Sequence, residues 1–318
     1  MKILHISDIH LGRTVGTTMI GDENFQIYDV KQTLLQIDKL VEERAIEYLV
    51  IAGDVFNSNI VNLQLTRWFR EWLEIITKKC TVLMVAGNHE TVRSQKLSIL
   101  SLFDNISNVF VADADRYLQF ENFMLVPFLM LEQNEHYKIK KCEIAITHCL
   151  LEGCTLDNGM IAPHGIKKEI FENNNLVLLG DIHKVQQIDE KFFYCGSPII
   201  NTFGEVENEH GCMFYDTELG ICEFIPLQQR KWIQIDDCNQ EIDANDCVLK
   251  VCYQELPIKT TIIGQPVYTV FEKQKIDKER KRINVDQGSL DKFVEEYIKQ
   301  KDPNLLPLFK RTFNEVEA

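Results

Sequence analysis

The 318-residue sequence predicts an α/β protein built on two packed sheets, and three patterns support this. In the first half, strand-like and helix-like segments alternate, which implies parallel strands joined by right-handed crossovers. After Val109 short apolar runs follow one another, which suggests a second sheet packed on the first. Residue types that bind metals follow five of the apolar runs, at the places where strands are expected to end.

The elements of the first half are predicted from apolar spacing. Strands are expected at 2–6, 48–52 and 82–86, where the apolar residues are continuous, and helices at 28–44 and 62–77. Helical spacing appears at Val30, Leu34, Ile37 and Val41 in the first helix, and at Leu65, Phe69, Trp72, Leu73 and Ile76 in the second. We expect Trp68 and Trp72 to serve packing, because they lie four residues apart on one helix.

In the second half the predicted elements are short strands. They are expected at 109–111, 123–126, 143–146, 176–179, 192–194, 213–215 and 222–225. The character changes near residue 228, after which strands are expected at 232–235, 247–253 and 267–272. A charge-rich stretch at 273–282 precedes a predicted helix at 289–299 and a second short apolar segment at 305–313. The helix is expected to begin at the capping residue Ser289.

Seven potential metal ligands follow strands 2–6, 48–52, 82–86, 143–146 and 176–179. They are Asp8, His10, Asp54, Asn88, His148, Asp181 and His183. In open α/β sheets ligands bind beyond the carboxyl ends of the strands, so we expect these side chains to converge. Carboxylate, imidazole and amide donors suit two divalent cations, with Mn²⁺ favoured and Mg²⁺ as the second choice. The pattern therefore predicts a dinuclear metallophosphoesterase.

The motifs also resemble a known family. The order Asp-x-His, Gly-Asp, Gly-Asn-His-Glu, His and Gly-x-x-His is similar to the calcineurin-like phosphoesterase signature. The start His-Ile-Ser-Asp-Ile-His-Leu-Gly at 5–12 and Gly-Asp-Val-Phe at 53–56 resemble SbcD-type nuclease subunits of SbcCD double-strand-break repair complexes. So do Tyr-Cys-Gly-Ser-Pro at 194–198 and Phe-Gly-Glu at 203–205. The resemblance covers roughly residues 1–205.

The resemblance implies a four-layer αββα sandwich, a small α+β cap and a short C-terminal helical tail. The corresponding domains are a nuclease domain at 1–228, a cap at 229–284 and a tail at 285–318 that docks on an SbcC-like coiled-coil ATPase. The implied activity is metal-dependent exonuclease or endonuclease cleavage of DNA in repair, recombination or replication. A homodimer without membrane association is implied as well.

The resemblance further implies how the ligands divide between two cations. Asp8, His10 and His183 would hold one cation and Asn88, His148 and Asp181 the other, with Asp54 bridging both. His89 resembles the family's catalytic histidine, which protonates the leaving oxygen or stabilises charge in the transition state. Lys184, beside the predicted ligands, is a candidate for holding a substrate phosphate.

Two positions depart from the family pattern. Asp181 stands where the family has histidine, and it is either a ligand of the second cation or a turn-capping residue that points away. Asn57 stands where archaeal and eukaryotic relatives carry another histidine, which points to the bacterial or phage branch. His5, His136, His164 and His210 match no motif and are expected to be structural, and Glu90 is expected to be a hydrogen-bonding turn residue.

Composition limits the function classes. The net charge of −14 argues against tight, unaided, non-specific DNA binding, so positive surface would come from a partner. Ten cysteines without a Cys-x-x-Cys pair are expected to be reduced core residues rather than a disulfide framework or a zinc knuckle. No secretory signal or run of about 18 apolar residues is expected, which favours a cytoplasmic location, in the host cytoplasm if the chain is phage-encoded.

Three alternatives remain open at this point. The chain could be a phosphodiesterase for small molecules or cyclic nucleotides, although such an enzyme needs no cap or docking tail. It could be a non-enzymatic scaffold with a degenerate metal site, which the presence of His89 disfavours. The basic residues within 273–282 could contact phosphates, but interleaved acids favour a solvated linker.

Overall fold

The computed structural model describes residues 1–133, 139–254 and 256–274. Its helices are α1 (Phe25–Glu43), α2 (Leu63–Ile76) and α3 (Phe128–Gln133), with short 3-10 helices at Ile99–Phe103, Lys168–Phe171 and Phe203–Glu205. Its strands are β1 (Lys2–Ile6), β2 (Met19–Ile20), β3 (Glu23–Asn24), β4 (Tyr48–Ala52), β5 (Thr81–Val85), β6 (Thr91–Val92), β7 (Leu97–Ser98), β8 (Val109–Ala112), β9 (Leu118–Phe120), β10 (Phe123–Val126), β11 (Ile144–His148), β12 (Leu176–Gly180), β13 (Gln186–Gln187), β14 (Phe192–Tyr194), β15 (Gly211–Asp216), β16 (Ile221–Pro226), β17 (Trp232–Asp236), β18 (Glu241–Asp243), β19 (Val248–Tyr253), β20 (Thr261–Ile263) and β21 (Tyr268–Lys273).

The first sheet has six strands in the order β16-β15-β1-β4-β5-β8. Strands β1, β4, β5 and β8 are parallel, and β15 runs antiparallel to both β1 and β16. In β1, Ile3 faces the second sheet while Leu4 and Ile6 face the helices. Because both faces are buried, the strand is a continuous apolar run and not an alternating one.

The second sheet also has six strands, in the order β13-β14-β12-β11-β10-β9. Its inner strands β14, β12, β11 and β10 are parallel, and the edge strands β9 and β13 are antiparallel to their neighbours. Leu125, Ile146 and Leu178 from this sheet pack against Val50 and Leu83 from the first. The carboxyl ends of β10, β11 and β12 therefore lie together at one edge of the sheet.

Helices and loops cover the outer faces, which gives the predicted four layers. Helices α1 and α2 pack on the first sheet, where Leu34 and Phe69 are fully buried. Their first residues are set by caps, because the side chains of Asn24 and Asn62 accept hydrogen bonds from the second helical N–H. On the second sheet the outer layer is thinner and contains α3 and the 3-10 helix with Phe171.

The described residues after position 228 form five strands, β17 to β21. Strands β17, β19 and β21 form a parallel sheet, and β18 pairs with β20. Trp232 and Val248 pack against Phe25 at the start of α1, and Arg230 forms a two-pronged ion pair with Asp29 on the same helix, at 2.8 and 3.0 Å. These contacts join the cap region to the sandwich within the compact unit that ends at Lys273.

The α/β class and the two-sheet architecture are thus confirmed. The domain boundaries at 228 and 284 stay predictions. The tail at 285–318, residues 275–282 of the basic stretch and His136 lie outside the described residues. Among the residues that the structure describes, no helix is both long and apolar enough to span a bilayer.

Candidate metal centre

Five strand ends supply the predicted ligands. Strands β1, β4 and β5 are neighbours in the first sheet, and β11 and β12 are neighbours in the second. The seven residues lie on the turns that leave these strands, with His148 as the last residue of β11. Because the sheets pack face to face with these ends on the same side, side chains from both sheets meet there. The predicted convergence is observed for all seven residues in the contacts described below.

Unusual backbone conformations aim these side chains. Asp8, His10, Asp54 and Asp181 have φ values of 55°, 49°, 51° and 98°. Non-glycine residues in this region carry strain of about 1–3 kcal/mol each and cluster at functional sites. Backbone hydrogen bonds from Asp8 N to Gly53 O and from His10 N to Asp54 O, at 3.1 and 3.0 Å, hold the two turns together.

Two glycines allow the turns to approach closely. A Cβ atom on Gly180 would lie 2.0 Å from Ala52 O, and one on Gly87 would lie 2.2 Å from Asp54 Oδ1. Neither distance is compatible with a Cβ atom, so only glycine fits at these two positions. The glycine before each of these two ligand motifs is therefore required by packing between strand ends.

The first donor group contains Asp8, His10 and His183. The Nε2 atoms of His10 and His183 lie 3.1 Å apart, and His183 Nε2 lies 3.7 Å from Asp8 Oδ1. Asp8 Oδ2 accepts hydrogen bonds from Ser7 Oγ and Asp181 N, at 2.5 and 3.1 Å. Asp8 Oδ1 is buried and has no hydrogen-bond partner among the described residues. Such a buried acceptor is costly unless a positive charge compensates it.

The second donor group surrounds His148. Its Nε2 atom lies 2.9 Å from Asn88 Oδ1, 3.5 Å from Asp54 Oδ1 and 3.6 Å from Asp181 Oδ1. The other ring nitrogen, Nδ1, lies 2.8 Å from Ala52 O. Since a carbonyl can only accept, Nδ1 carries a proton, which leaves Nε2 as the ring atom that could bind a cation. A backbone carbonyl commonly orients a metal-binding histidine in this way.

Asp54 lies between the two groups. Its Oδ1 faces His148, and its Oδ2 lies 3.8 Å from His10 Nε2. The side chain is 4% exposed, so its charge is removed from water. Burial opposes ionisation, but the imidazoles of His148 and His10 hold the pKa of Asp54 below its usual range. One carboxylate thus offers one oxygen to each donor group.

His89 lies at the exposed side of the cluster. Its side chain is 40% exposed, and Nε2 lies 3.8 Å from Asp54 Oδ2. Its Nδ1 donates to Asn57 O at 2.9 Å, which turns Nε2 toward the cluster. The ring meets that of His10 edge-on at a centroid distance of 4.8 Å. His89 can therefore contact a substrate bound at the centre without being enclosed by it.

Arg13 was not predicted from the sequence to take part in the site, yet it lies in the same region. Its Nη1 donates to Asn57 Oδ1 at 3.4 Å, so Asn57 contacts both Arg13 and His89. The side chain is half-buried. Asn57 here links two groups that can carry positive charge at the edge of the centre. Lys184 is half-buried beside His183, and its predicted contact with a substrate phosphate stays a prediction.

Glu205 is the second residue that sequence reasoning missed as a functional candidate. Its Oε1 lies 3.1 Å from His183 Nδ1, and its side chain is 5% exposed. Burial lowers the pKa of His183, but Glu205 and then Asp8 outweigh this and raise it to about 9. A carboxylate on the far nitrogen fixes the ring so that Nε2 faces the cluster. The Phe-Gly-Glu motif at 203–205 contains Glu205, but the position of the motif in the sequence does not indicate that Glu205 contacts a predicted ligand.

Glu90 behaves as predicted, as a turn residue. Its Oε1 accepts from Gly87 N at 3.1 Å, and it is fully buried. Burial, with repulsion from Asp54, raises the pKa of Glu90 to about 8. The carboxyl group therefore stabilises the turn that carries Asn88 and His89. His5 and His210 are buried away from the cluster, as expected of structural histidines, whereas His164 is exposed.

The donor set fits divalent cations. Each of the triplets Asp8–His10–His183 and Asp8–Asp54–His148 offers three ligand atoms within 4.8 Å of one another. Two nitrogens bound to one cation at about 2.1 Å lie about 3.0–3.4 Å apart, which is the spacing of His10 and His183. Together with the unpartnered Asp8 Oδ1, this arrangement is better explained by cation binding than by hydrogen bonding alone.

Fold and donor set together define a metal-dependent phosphoesterase. A model of the calcineurin-like phosphoesterase family matches residues 1–185, which is more than half of the chain. The chain therefore belongs to the calcineurin-like phosphoesterase family.

Named relatives are similar at modest identity. Exonuclease subunit 1 of Enterobacteria phage T4 is 27% identical over 238 residues, covering 71% of this chain and 68% of that protein. The D subunit of nuclease SbcCD from Staphylococcus epidermidis is 22% identical over 286 residues, covering 76% and 73%. Among solved structures, TT1561 of Thermus thermophilus matches with a TM-score of 0.42 and 11% identity over 71% of this chain and 98% of that chain, a likeness too low to add to the argument.

Proposed function

We propose that the chain is the nuclease subunit of an SbcCD-like complex and hydrolyses DNA phosphodiester bonds with two divalent cations. The observation that carries this proposal is Asp54, which lies between two donor groups with His89 at their exposed side. The relatives named as an exonuclease subunit and as the D subunit of nuclease SbcCD support DNA as the substrate. The processes served would be DNA repair, recombination or replication.

The ligand roles follow the two donor groups. Asp8, His10 and His183 would hold one cation, the group around His148 would hold the other, and Asp54 would contact both. Oxygen and nitrogen donors in this mixture favour Mn²⁺, with Mg²⁺ as the alternative. Held by these residues, two cations would polarise the phosphodiester and neutralise the charge that develops on its attacking and leaving oxygens.

Asp181 acts as a ligand in this proposal and not as a cap that points away. Its Oδ1 lies 3.6 Å from His148 Nε2, and its N–H is held by Asp8 Oδ2. Compared with an imidazole, it adds a negative charge and a harder oxygen donor, which suits Mg²⁺ better than a histidine would. We therefore expect Asp181→His to shift the activity ratio toward Mn²⁺.

His89 acts on the substrate itself. With Nδ1 donating to Asn57 O, Nε2 is the atom available to protonate the leaving oxygen or to stabilise charge on the phosphate. Arg13 would add a second positive group at the same edge. Because His89 is placed in catalysis and not in ligation, its removal should spare cation binding.

The proposed protein partners are a coiled-coil ATPase and a second copy of this chain. With a net charge of −14, the chain would depend on a coiled-coil ATPase for positive DNA-binding surface. The tail at 285–318 would dock on that ATPase, and deletion of 286–318 should end co-purification while leaving cation binding intact. A homodimer is also part of the proposal, and Ile60 and Leu63, 87% and 85% exposed near the start of α2, are candidate contact residues.

A nuclease assay on linear and hairpin DNA tests the proposal, with Mn²⁺ against Mg²⁺ and with and without the ATPase. We expect Mn²⁺-dependent cleavage that falls by about 10²–10⁴-fold in His89→Ala. Calorimetric Mn²⁺ titration of the same variant should show unchanged stoichiometry. Cleavage of bis(p-nitrophenyl) phosphate without cleavage of DNA would favour the small-molecule alternative. Cation binding without either activity would favour the scaffold.

A further inference from the structure

A cavity of about 420 Å³ lies beside the metal centre, at the carboxyl edge of the second sheet. Its lining includes the aromatic ring of Phe128 and the aliphatic side chains of Leu131, Leu150 and Ile166. It also includes His164, Lys167 and Glu132, whose carboxylate is paired with Arg93 at 3.0 Å. The cavity is thus mainly apolar, and the Lys167 ammonium is the one lysine or arginine charge among its lining residues, since Glu132 is paired with Arg93. That composition suits a flat, apolar ligand part that is attached to a negative group.

The cavity walls are tied directly to the proposed cation ligands. Cys149, which lines the cavity, follows His148 in the chain. Phe128 N donates to Ala86 O at 3.0 Å, which anchors the start of α3 to the turn carrying Asn88. The Phe128 ring meets the His148 ring edge-on, with centroids 6.4 Å apart. A phosphate at the centre would therefore be within one nucleotide's reach of the cavity.

The surroundings of Phe128 match those of a base-stacking residue. The ring is half-buried, so part of it remains accessible. The guanidinium of Arg93 lies 5.3 Å from its centroid and is held by an ion pair with Glu132 at 3.0 Å. Aromatic rings and arginine planes are the groups on which unpaired bases stack in single-strand binding sites.

We infer that this cavity binds the nucleobase of a nucleotide next to the scissile phosphate, with Phe128 as the stacking residue. The inference rests on the proposed nuclease function and adds a base-binding site to it. A volume of about 420 Å³ suits one nucleoside and not a base pair. A base in a duplex must leave its helical stack to enter the cavity. Stacking does not recognise the hydrogen-bonding edges that distinguish the bases, so all four bases should be accepted.

The test uses single-stranded oligonucleotides in which one nucleotide is replaced by an abasic analogue, at each position in turn. The full chain with Mn²⁺ should cleave the substrate about 10- to 100-fold less efficiently, in kcat/KM, when the abasic position falls next to the scissile phosphate. Phe128→Leu keeps apolar volume without an aromatic ring, and it should show little difference between base-bearing and abasic substrates. Phe128→Tyr should retain the difference.

Two controls separate stacking from folding. Phe110 is another half-buried phenylalanine, packed on Phe120 with centroids 4.0 Å apart in a different part of the sheet system. Phe110→Leu should retain the full preference for a base. Thermal melts should show that Phe128→Leu and Phe110→Leu are comparably folded. Lys167→Ala should lower kcat/KM on the base-bearing substrate several-fold, whereas Lys168→Ala, whose ammonium pairs with Asp189, should not.

The outcomes are distinguishable from failure of the proposed function. Equal cleavage of base-bearing and abasic DNA by the wild-type chain would overturn the base-binding cavity and leave the nuclease intact. A base preference that survives in Phe128→Leu would also overturn the assignment. Cleavage of neither DNA would overturn the nuclease proposal, and the cavity inference with it.

Discussion

Gly180→Ala is the substitution that most directly tests the packing of the metal centre. Gly180 is the last residue of β12 and pairs with His148 at the end of β11. An added Cβ atom would lie 2.0 Å from Ala52 O and 2.8 Å from His148 Nδ1, which are the two atoms of the hydrogen bond that orients His148. The methyl group would therefore push against that hydrogen bond from β12.

The size of the effect can be worked from these distances. To reach ordinary contact at 3.4 Å from 2.0 Å, the strand end must retreat by about 1.4 Å. Asp181 and His183 follow directly and would move with it. Misplacement by about 1 Å typically lowers the rate about 10²-fold, and loss of an orienting partner lowers metal affinity about 10–100-fold. Overpacking of this kind costs about 1–3 kcal/mol, or about 3–10 °C in Tm for a domain of this size.

The assays are Mn²⁺ titration by calorimetry, DNA cleavage rates and a thermal melt. Gly204→Ala is the matched control, because its Cβ would meet nothing closer than Thr202 Oγ1 at 3.5 Å. We expect the control to behave as wild type in all three assays. Unchanged Mn²⁺ affinity and cleavage in Gly180→Ala, or an equal loss in Gly204→Ala, would refute the reasoning.

Three further predictions concern single side chains. Asp181→Asn should lower occupancy of the second cation by about 10-fold or more in a Mn²⁺ titration, since Asp181 Oδ1 faces His148; unchanged stoichiometry and rate would remove it from the ligand set. Glu205→Gln should weaken Mn²⁺ binding about 10–100-fold by calorimetry without changing the number of ions bound, because it removes the negative charge that makes His183 a stronger ligand; an unaltered affinity would make Glu205 merely structural. Burial lowers the pKa of His5 from 6.5 to about 3 in the folded chain, so protonation of His5 favours the unfolded state. The stability that neutral His5 allows is present above pH 6.5 and is lost as the pH falls toward 3. At pH 5 the loss is about 2 kcal/mol, and Tm measured between pH 7 and 5 should fall less in His5→Asn than in wild type; equal falls would contradict this assignment.

The sheet strands were predictable because burial on both faces leaves a continuous apolar run. Strands β1 and β4 begin and end where the pattern predicts, and α2 differs only in its capping residues Asn62 and Thr77. The two-residue strands β2, β3, β6, β7 and β13 were not predicted, because two residues carry no periodicity. Helix α3 was missed for a related reason, since its six residues make fewer than two turns.

The residues of the metal centre likewise include some that could be predicted from the sequence and some that could not. Ligands that directly follow a strand, such as Asp54 and Asn88, could be predicted because parallel strands share one carboxyl edge. The orientation of Asp181 could not, because it depends on a φ of 98° and on a hydrogen bond to Asp8. Glu205 lies 22 positions beyond His183 in the chain, and only the packing of two separate turns brings them together.

The central claim is that Asp54 joins two cations into one centre. Electron paramagnetic resonance of the Mn²⁺-loaded chain, combined with a titration of bound metal, measures this directly. We predict two Mn²⁺ ions per chain with an exchange-coupled spectrum, because ions that share a carboxylate lie about 3.5–4 Å apart. Asp54→Asn should reduce both the coupling and the number of ions. One ion per chain, or two ions with an uncoupled spectrum, would contradict the account.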